Sequence, residues 1–255
     1  MDPKQRDREA GEGGITAGGI SVVIPTLDEE VLLGDLLSDL AAQSVRPDEV
    51  FVVDAGSEDA TVTVAENFPF VEVLYSTPPV AIGRNTGGRQ TGGDVIVFLD
   101  ADARLPGDFL KRFVGEFLER GYDVACPLYY PHDSTRVIER FHDLFNLVTR
   151  AFQGVLPSGA GSCIAVRGGL FRESAGFDPA LKFDDIELIR RLSRGRRFGI
   201  VHERVFLSDR RFRESGTVRM VAQYSLMSLI FALGRHEWAN RIAYEIGEHE
   251  RPGEG

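Results

Sequence analysis

Two carboxylates, Asp100 and Asp102, stand at the end of an unbroken apolar run, Val95-Ile96-Val97-Phe98-Leu99. A buried strand that delivers acids at its carboxyl end is a place to hold a hard divalent cation. In extended backbone, residues two apart project to one side, so both carboxylates could meet one ion, and Ala101 between them takes little room. Oxygen donors of this kind suit Mg²⁺ or Mn²⁺, ions that share their shell with substrate phosphates. The competing reading is a plain turn after a strand, where Asp is common.

Four further clusters could do chemistry. Asp54 closes a second apolar run, 50–53, just ahead of Ala55-Gly56-Ser57. A carboxylate there could accept from a nucleobase imide or a ribose hydroxyl, and Gly56 would admit a flat ring. Equally, Asp54 and Ser57 could simply shape the turn, with Ser57 as a helix N-cap. Arg84, followed by Asn85, could neutralise phosphate or fix a base, or be a solvated helix arginine. Asp184 and Asp185 open a helix, where the dipole favours anions. Their chemical alternative is a general base, which needs only to reach a hydroxyl proton within ~3 Å. Arg210-Arg211-Phe212-Arg213 is a basic patch suited to pyrophosphate or lipid-linked phosphate, or scattered surface arginine. The stretch Gly87 to Gly93 lacks a following Lys-Ser/Thr and precedes a strand, which excludes a P-loop.

The elements that must position these groups alternate. Strands are expected at 20–24, 50–53, 71–74 and 95–99, and helices from 28 onward, at 59–67, at 79–90 with Gly87-Gly88 weakening its end, and from Pro106. That alternation predicts an α/β fold, a Rossmann-like, mostly parallel central sheet flanked by helices, in a single domain. Ligands in such sheets bind outside the carboxyl ends of the strands, where Pro25-Thr26, Asp54 to Ser57 and Asp100 to Asp102 all fall. The second half is less regular: a strand at 124–128, a helix at 134–152, a Gly-rich approach to a strand at 159–166, helices at 168–175 and 184–194, and one or two strands at 198–207. The 134–152 helix carries Val137, Phe141, Leu144, Phe145 and Val148 on one face.

The 255 residues carry a net charge of −10, which excludes electrostatic attraction to nucleic acid. With 3 Lys among 29 cations, the composition points to selection for high salt ahead of a GC-rich genome alone. Cys126 and Cys163 read as small buried hydrophobes in a reducing compartment. Residues 1–19 read as a disordered tail with no secretory leader, and no run reaches the length of a spanning helix. The nearest, 218–233 in a helical extension at 217–255, fits core or dimer packing, with a membrane interface beside the Arg patch as the alternative. The expected location is cytoplasmic, up to the inner face of the cell membrane.

Taken together the clusters resemble the inverting family-2 glycosyltransferases of the GT-A fold, over about residues 20–216. The resemblance rests on S-V-V-I-P-T-L-D-E-E, V-V-D-A-G-S-E-D-A-T, I-G-R-N-T-G with G-D-V-I-V-F-L-D-A-D, and S-A-G-F-D-P followed by F-D-D-I-E-L-I-R-R. It implies a nucleotide-binding half, 20–104, and an acceptor half, 105–216. Pro25, Thr26, Glu30, Asp54 and Gly56 would line the nucleotide, and Arg84 would lie near its base or phosphates. Asp100 would contact the ribose or the metal-bound phosphates, and Asp102 would ligate Mg²⁺ or Mn²⁺. Asp185 would be the base, with Asp184 in the family's usual Glu position, and Arg210 and Arg211 would meet phosphate. The implied partners are a nucleotide-sugar donor and a glycan or polyprenyl-phosphate acceptor. A sugar-1-phosphate nucleotidyltransferase is the second reading, but its first loop is usually basic, whereas Asp28-Glu29-Glu30 is acidic. A non-catalytic nucleotide-binding module is the third.

Overall fold

A computed structural model of the chain describes residues 18–132, 136–159 and 161–208. Residues 1–17, Arg210, Arg211 and the run 218–233 lie outside the described residues. The first half is built as the sequence pattern predicts. Strands β1 (Ile20–Thr26), β2 (Glu49–Asp54), β3 (Val71–Tyr75) and β4 (Val95–Leu99) are parallel and stand in the order β3-β2-β1-β4. β1, β2 and β4 are apolar on both sides, so helices must cover both faces. On one face Val22, Ile24, Val52, Val97 and Leu99 meet Leu33, Leu36, Leu37 and Leu40 of helix α1 (Leu33–Ala41). On the other, Val23, Val53, Ile96 and Phe98 form a second cluster with Ala81, Phe171 and Phe177. After α2 (Thr61–Glu66) and β3, helix α3 (Val80–Gln90) lies across β1 and β2. Strand order reverses between β1 and β4, and the crevice at their carboxyl ends is where such a sheet binds ligands.

The second half turns the sheet around. β5 (Ala103–Arg104) was not expected from the sequence; helix α4 (Phe109–Glu119) and β6 (Val124–His132) follow. Then come α5 (Arg136–Phe152), β7 (Cys163–Arg167), α6 (Gly168–Glu173), α7 (Asp184–Leu192) and a single strand β8 (Phe198–Ser208). The sheet continues β4-β7-β6-β8-β5, with β7 antiparallel to both β4 and β6 and β8 parallel to β6. The mixed eight-stranded sheet therefore keeps its parallel character in the half built from β1 to β4.

Three local expectations change. Strand β4 stops at Leu99, and the Ala103 N–H donates to the Asp100 carbonyl at 3.1 Å. The two acids thus leave a turn, not an extended strand. Helix α1 starts at Leu33, not at Asp28, whose φ is +54°. Asp28 instead ties two loops: its N–H donates to Ser57 Oγ at 2.9 Å and its carboxylate accepts from the Glu58 N–H at 2.9 Å. Asp is one of the few residues that visits this left-handed region with ease. Gly87 and Gly88 do not fray α3; they let it lie close on the sheet. A Cβ at Gly87 would stand 2.5 Å from Val23, and one at Gly88 would collide with the Phe171 ring.

The apolar face of α5 points away from the sheet: Leu144 and Val148 are 58% and 46% exposed, while His142, Asn146 and Thr149 are buried. The Asn146 side chain explains this orientation. It accepts from the Tyr129 N–H at 3.2 Å and donates to the Tyr129 carbonyl at 2.9 Å, docking the polar face of α5 on β6. The side chains of Val137 and Phe141 lie outside the described residues.

The packing of α3 can be tested. Gly88→Ala adds one methyl against Phe171 and Phe98 and should destabilise the fold by about 1–3 kcal/mol, read as a lower urea midpoint with an unchanged slope. Gly169→Ala, where a Cβ has open space, should leave the midpoint within about 0.5 kcal/mol of the parent.

Candidate active site

The centre of the site is Arg84, on the sheet-facing side of α3 and 5% exposed. Its Nη2 donates to Asp100 Oδ1 at 2.9 Å. Its Nη1 donates to both oxygens of Asp184, at 3.2 and 3.1 Å. One guanidinium therefore links the turn after β4 to the first turn of α7, with Arg84 itself 100 residues from Asp184. The Phe177 ring lies under it, 5.2 Å from the guanidinium carbon. Burial would lower the Arg84 pKa, but Asp100, Asp184 and Asp185 around it hold it well above the usual range, so its charge is fixed. The neighbouring Asn85 plays a parallel part: it donates to the Phe177 carbonyl and accepts from the Phe177 N–H, both at 2.8 Å. Arg191 also donates to the Gly176 carbonyl, so the segment leading to α7 is held from both sides.

Asp184 and Asp185 share a helix start but not an environment. Asp184 is 4% exposed; burial raises its pKa, and the charge of Arg84 opposes the rise. Asp185 is only partly covered and faces the loop between α5 and β7. Burial first, and the negative charge of Asp184 second, push its carboxyl up to about 6, with Arg84 acting against them. A Cβ at Gly161 would collide with Asp185 Oδ2, so this carboxylate fits only because position 161 has no side chain. The next residue, Ser162, accepts from the Asp100 N–H at 3.0 Å. The same loop thus touches both Asp100 and Asp185.

A second group of residues forms the adjoining rim. In the parallel register Thr26 stands beside Asp54, at the ends of β1 and β2. Asp54 is buried and serves its own turn: Oδ2 accepts from the Gly56 and Ser57 N–H groups, both at 3.0 Å, and Oδ1 accepts from the Ser57 hydroxyl. Thr26 Oγ1 lies 3.5 Å from the same Oδ1. Gly56 has a φ of +95°, which is why this turn takes glycine. Glu30 accepts from the Ala60 N–H at 2.9 Å and donates its own N–H to Asp59. Pro25 packs within 3.4 Å of where a Gly83 Cβ would be, so α3 sits directly behind this rim. The structure therefore gathers Arg84, Asp100, Asp184 and Asp185 into one cluster, and sets Pro25, Thr26, Glu30, Asp54 and Gly56 in the neighbouring loops.

Asp102 is half-buried in the turn that follows Asp100. Among the described residues no group of three or more His, Cys, Asp or Glu side chains forms a ready cation cage. Asp100 and Asp102, two residues apart in one turn, are donors of the type that suits Mg²⁺ or Mn²⁺, which bind through one or two acids plus water and substrate phosphate. Three carboxylates around a single guanidinium also leave net negative charge for a cation to offset. Both cysteines are buried and free, and burial raises both thiols, so neither is a nucleophile. A hollow of about 650 Å³ beside Arg112, Glu116 and Glu203 contains none of the rim residues.

The family model described as Glycosyl transferase family 2 matches residues 21–175, which takes in β1 to α6 and with them Arg84 and Asp100. The chain belongs to glycosyl transferase family 2. It is 32% identical over 155 residues to undecaprenyl-phosphate 4-deoxy-4-formamido-L-arabinose transferase of Pseudomonas fluorescens, covering 56% of this chain and 44% of that protein. It is 30% identical over 139 residues to glycosyltransferase AglE of Haloferax volcanii, covering 50% and 45%. The chain thus spans less than half the length of these relatives. Among solved structures it resembles a Pyrobaculum calidifontis mannosyltransferase in complex with GDP-Man and Mn²⁺, at 22% identity and TM-score 0.63, covering 80% of this chain and 60% of that one. It also resembles glucosyl-3-phosphoglycerate synthase of Mycobacterium tuberculosis with Mn²⁺ and UDP, at 23% identity and TM-score 0.59, covering 86% and 80%. These likenesses confirm the GT-A fold expected from the sequence.

Asn85, Gly161 and Ser162 were not singled out from the sequence. Asn85 was visible as the last residue of I-G-R-N, and Gly161 as part of the Gly-rich approach to β7.

Two outcomes follow for the acids. A carboxyl whose pKa rises from about 3.9 unfolded to about 6 folded favours the folded state below pH ~4 and opposes it as pH climbs through that window. Asp185→Asn should therefore raise the thermal midpoint near pH 8, by the equivalent of about 1–2 kcal/mol after solvent screening, and lose the advantage near pH 4. Gly161→Ala displaces the carboxylate while the loops at Thr26 and Asp54 stay in place. It should lower kcat by about tenfold or more with donor KM nearly unchanged; a rise in KM alone would contradict the assignment.

Proposed function

We propose that the chain is a metal-dependent, inverting glycosyltransferase, moving a sugar from a nucleotide-sugar to a hydroxyl or phosphate acceptor on a glycan or a polyprenyl lipid. The observation that carries this reading is the Arg84 bridge, which holds the Asp100 turn and the Asp184-Asp185 helix start together beside the end of β4. The donor would lie across the ends of β1, β2 and β4, its base and ribose against Pro25, Thr26 and the Asp54–Ser57 turn. Glu30 and Asp28 brace that turn from the opposite loop. Arg84 was expected at the base or phosphates; buried between two acids, it acts in this reading by holding Asp100 and α7 in place. Mg²⁺ or Mn²⁺ held by Asp102 and Asp100 would offset charge on the departing diphosphate.

Asp185 takes the proton of the acceptor hydroxyl as that oxygen bonds to the anomeric carbon. The bond from carbon to diphosphate oxygen breaks on the opposite side, so one displacement inverts the centre. A carboxyl near 6 suits proton removal, because it is ionised at neutral pH yet more basic than an exposed aspartate. Asp184, pinned by Arg84, is the orienting acid and not the base.

The relatives named for undecaprenyl-phosphate substrates support a lipid-linked acceptor, and an inner-membrane-face location would follow from it. No described helix is long and apolar enough to cross a membrane. The excess of 39 acids over 29 cations supports adaptation to high salt.

The test is transfer by Asp185→Asn with a nucleotide-sugar panel and Mn²⁺. Donor affinity should hold within about threefold while transfer to a hydroxyl acceptor falls about 10²–10⁴-fold. In the parent, kcat should rise as pH rises through about 6 and then level off. Full activity in the variant, or a flat profile, would sink the assignment of the base.

A further inference from the structure

The carboxyl ends of β1, β2 and β3 present one row of side chains. Thr26 stands in register with Asp54, and Asp54 with Tyr75. The residues two back on each strand, Ile24, Val52 and Val73, pack in one apolar cluster with α1. All three side chains of the row therefore leave the sheet on its α1 face. Thr26 and Asp54 are buried, whereas Tyr75, on the edge strand, is 66% exposed.

The buried members have little left to offer a ligand. A carboxylate has about four lone-pair positions. Those of Asp54 meet the Gly56 and Ser57 N–H groups and the Ser57 hydroxyl, with the Thr26 hydroxyl 3.5 Å from Oδ1. The rest of the turn is engaged as well. Ser57 Oγ accepts from the Asp28 N–H, and the Ala55 N–H donates to the Thr26 carbonyl. The Glu58 and Ala60 N–H groups donate to Asp28 and Glu30. A nucleobase imide seeking a carboxylate acceptor here would find Asp54 already taken. What the rim keeps open is space for a flat ring: a Cβ at Gly56 would meet nothing within 4 Å.

We propose that Tyr75 is the platform on which the donor's nucleobase stacks, so that the base is held by its π-face and not by the Asp54 carboxylate. The inference rests on the reading of the chain as a nucleotide-sugar transferase. Strand order sets the span. β4, with Asp100 just beyond its end, and β3 stand three strand spacings apart, about 14 Å. A nucleoside diphosphate laid along this rim, with its phosphates at the β4 acids, carries its base to the edge formed by β2 and β3. The Ser76 N–H donates to the Asp54 carbonyl at 2.7 Å, so β3 stays paired to β2 past Tyr75 and the ring has a fixed base. Stacking asks for an accessible aromatic face and nothing else, and it contributes about 5- to 100-fold in affinity per base.

The experiment titrates the full chain, with Mn²⁺ present, against UDP, GDP, ADP, CDP and dTDP and, separately, against inorganic pyrophosphate. Tyr75→Ala should weaken the nucleoside diphosphate that the parent binds by about 5- to 100-fold and leave pyrophosphate within about twofold. Tyr75→Phe keeps the ring and should keep the parent's affinity. In transfer assays the alanine variant should show a raised donor KM with kcat at saturating donor unchanged. Because the side chain is exposed, its thermal midpoint should match the parent's. Tyr75→Trp supplies a second readout: the added emission should be quenched by the nucleoside diphosphate and not by pyrophosphate. Equal affinity of the parent and Tyr75→Ala for the nucleoside diphosphate, or a parallel loss for pyrophosphate, would overturn the stacking and leave the transferase reading standing. A parent that binds none of the five nucleoside diphosphates would overturn both.

Discussion

A buried guanidinium cannot be left unpaired, and in this protein the need is met by acids from two distant segments. Arg84 lies between Asp100 and Asp184 with its charge locked on. Removing one partner of such a group strands a charge in the interior, at a cost of about 3–5 kcal/mol. The bridge therefore sets geometry as well as stability: the turn after β4 cannot drift from the start of α7 without breaking it. Asp185, the next residue along, inherits its place from that anchor. The asymmetry between the two acids comes from the same source. Asp184 faces the cation, whereas Asp185 faces the glycine loop.

The sheet supplies the frame for this bridge. Parallel strands β1, β2 and β4 present their carboxyl ends on one rim, and the reversal of direction at β7 brings the chain back beside β4. That return places the Ser162 carbonyl on the Asp100 N–H and Gly161 against Asp185. Glycines make the close approaches possible. Gly87 and Gly88 let α3 sit near enough for Arg84 to enter the crevice, and Gly176, with a φ of +76°, leaves room for the Asn85 amide.

Much of this was legible in the sequence. The apolar strands β1, β2 and β4, the leucine stripe of α1 and the acid pair opening α7 all follow from periodicity and helix-end electrostatics, and the family resemblance implied roles for the acids. What was not legible depends on partners far away in the chain. Arg84 read as a phosphate or base contact because nothing local says that it will meet Asp184. Asp54 read as a ligand or a turn residue, and its carboxylate is in fact engaged with Gly56 and Ser57. For helix α5 the sequence pattern placed the apolar residues on one face, but amphipathicity gives a face and not its direction. The Asn146 pairing with the Tyr129 backbone decided the direction.

The central claim is that one crevice holds a cation, a nucleoside diphosphate and the Asp185 base together. Anomalous scattering from a crystal of the protein with Mn²⁺ and a nucleoside diphosphate tests it most directly. One strong peak should lie beside Asp100 and Asp102, with the diphosphate between it and the Asp185 carboxylate. A peak elsewhere on the surface, or a diphosphate bound where Asp185 cannot face it, would contradict the account.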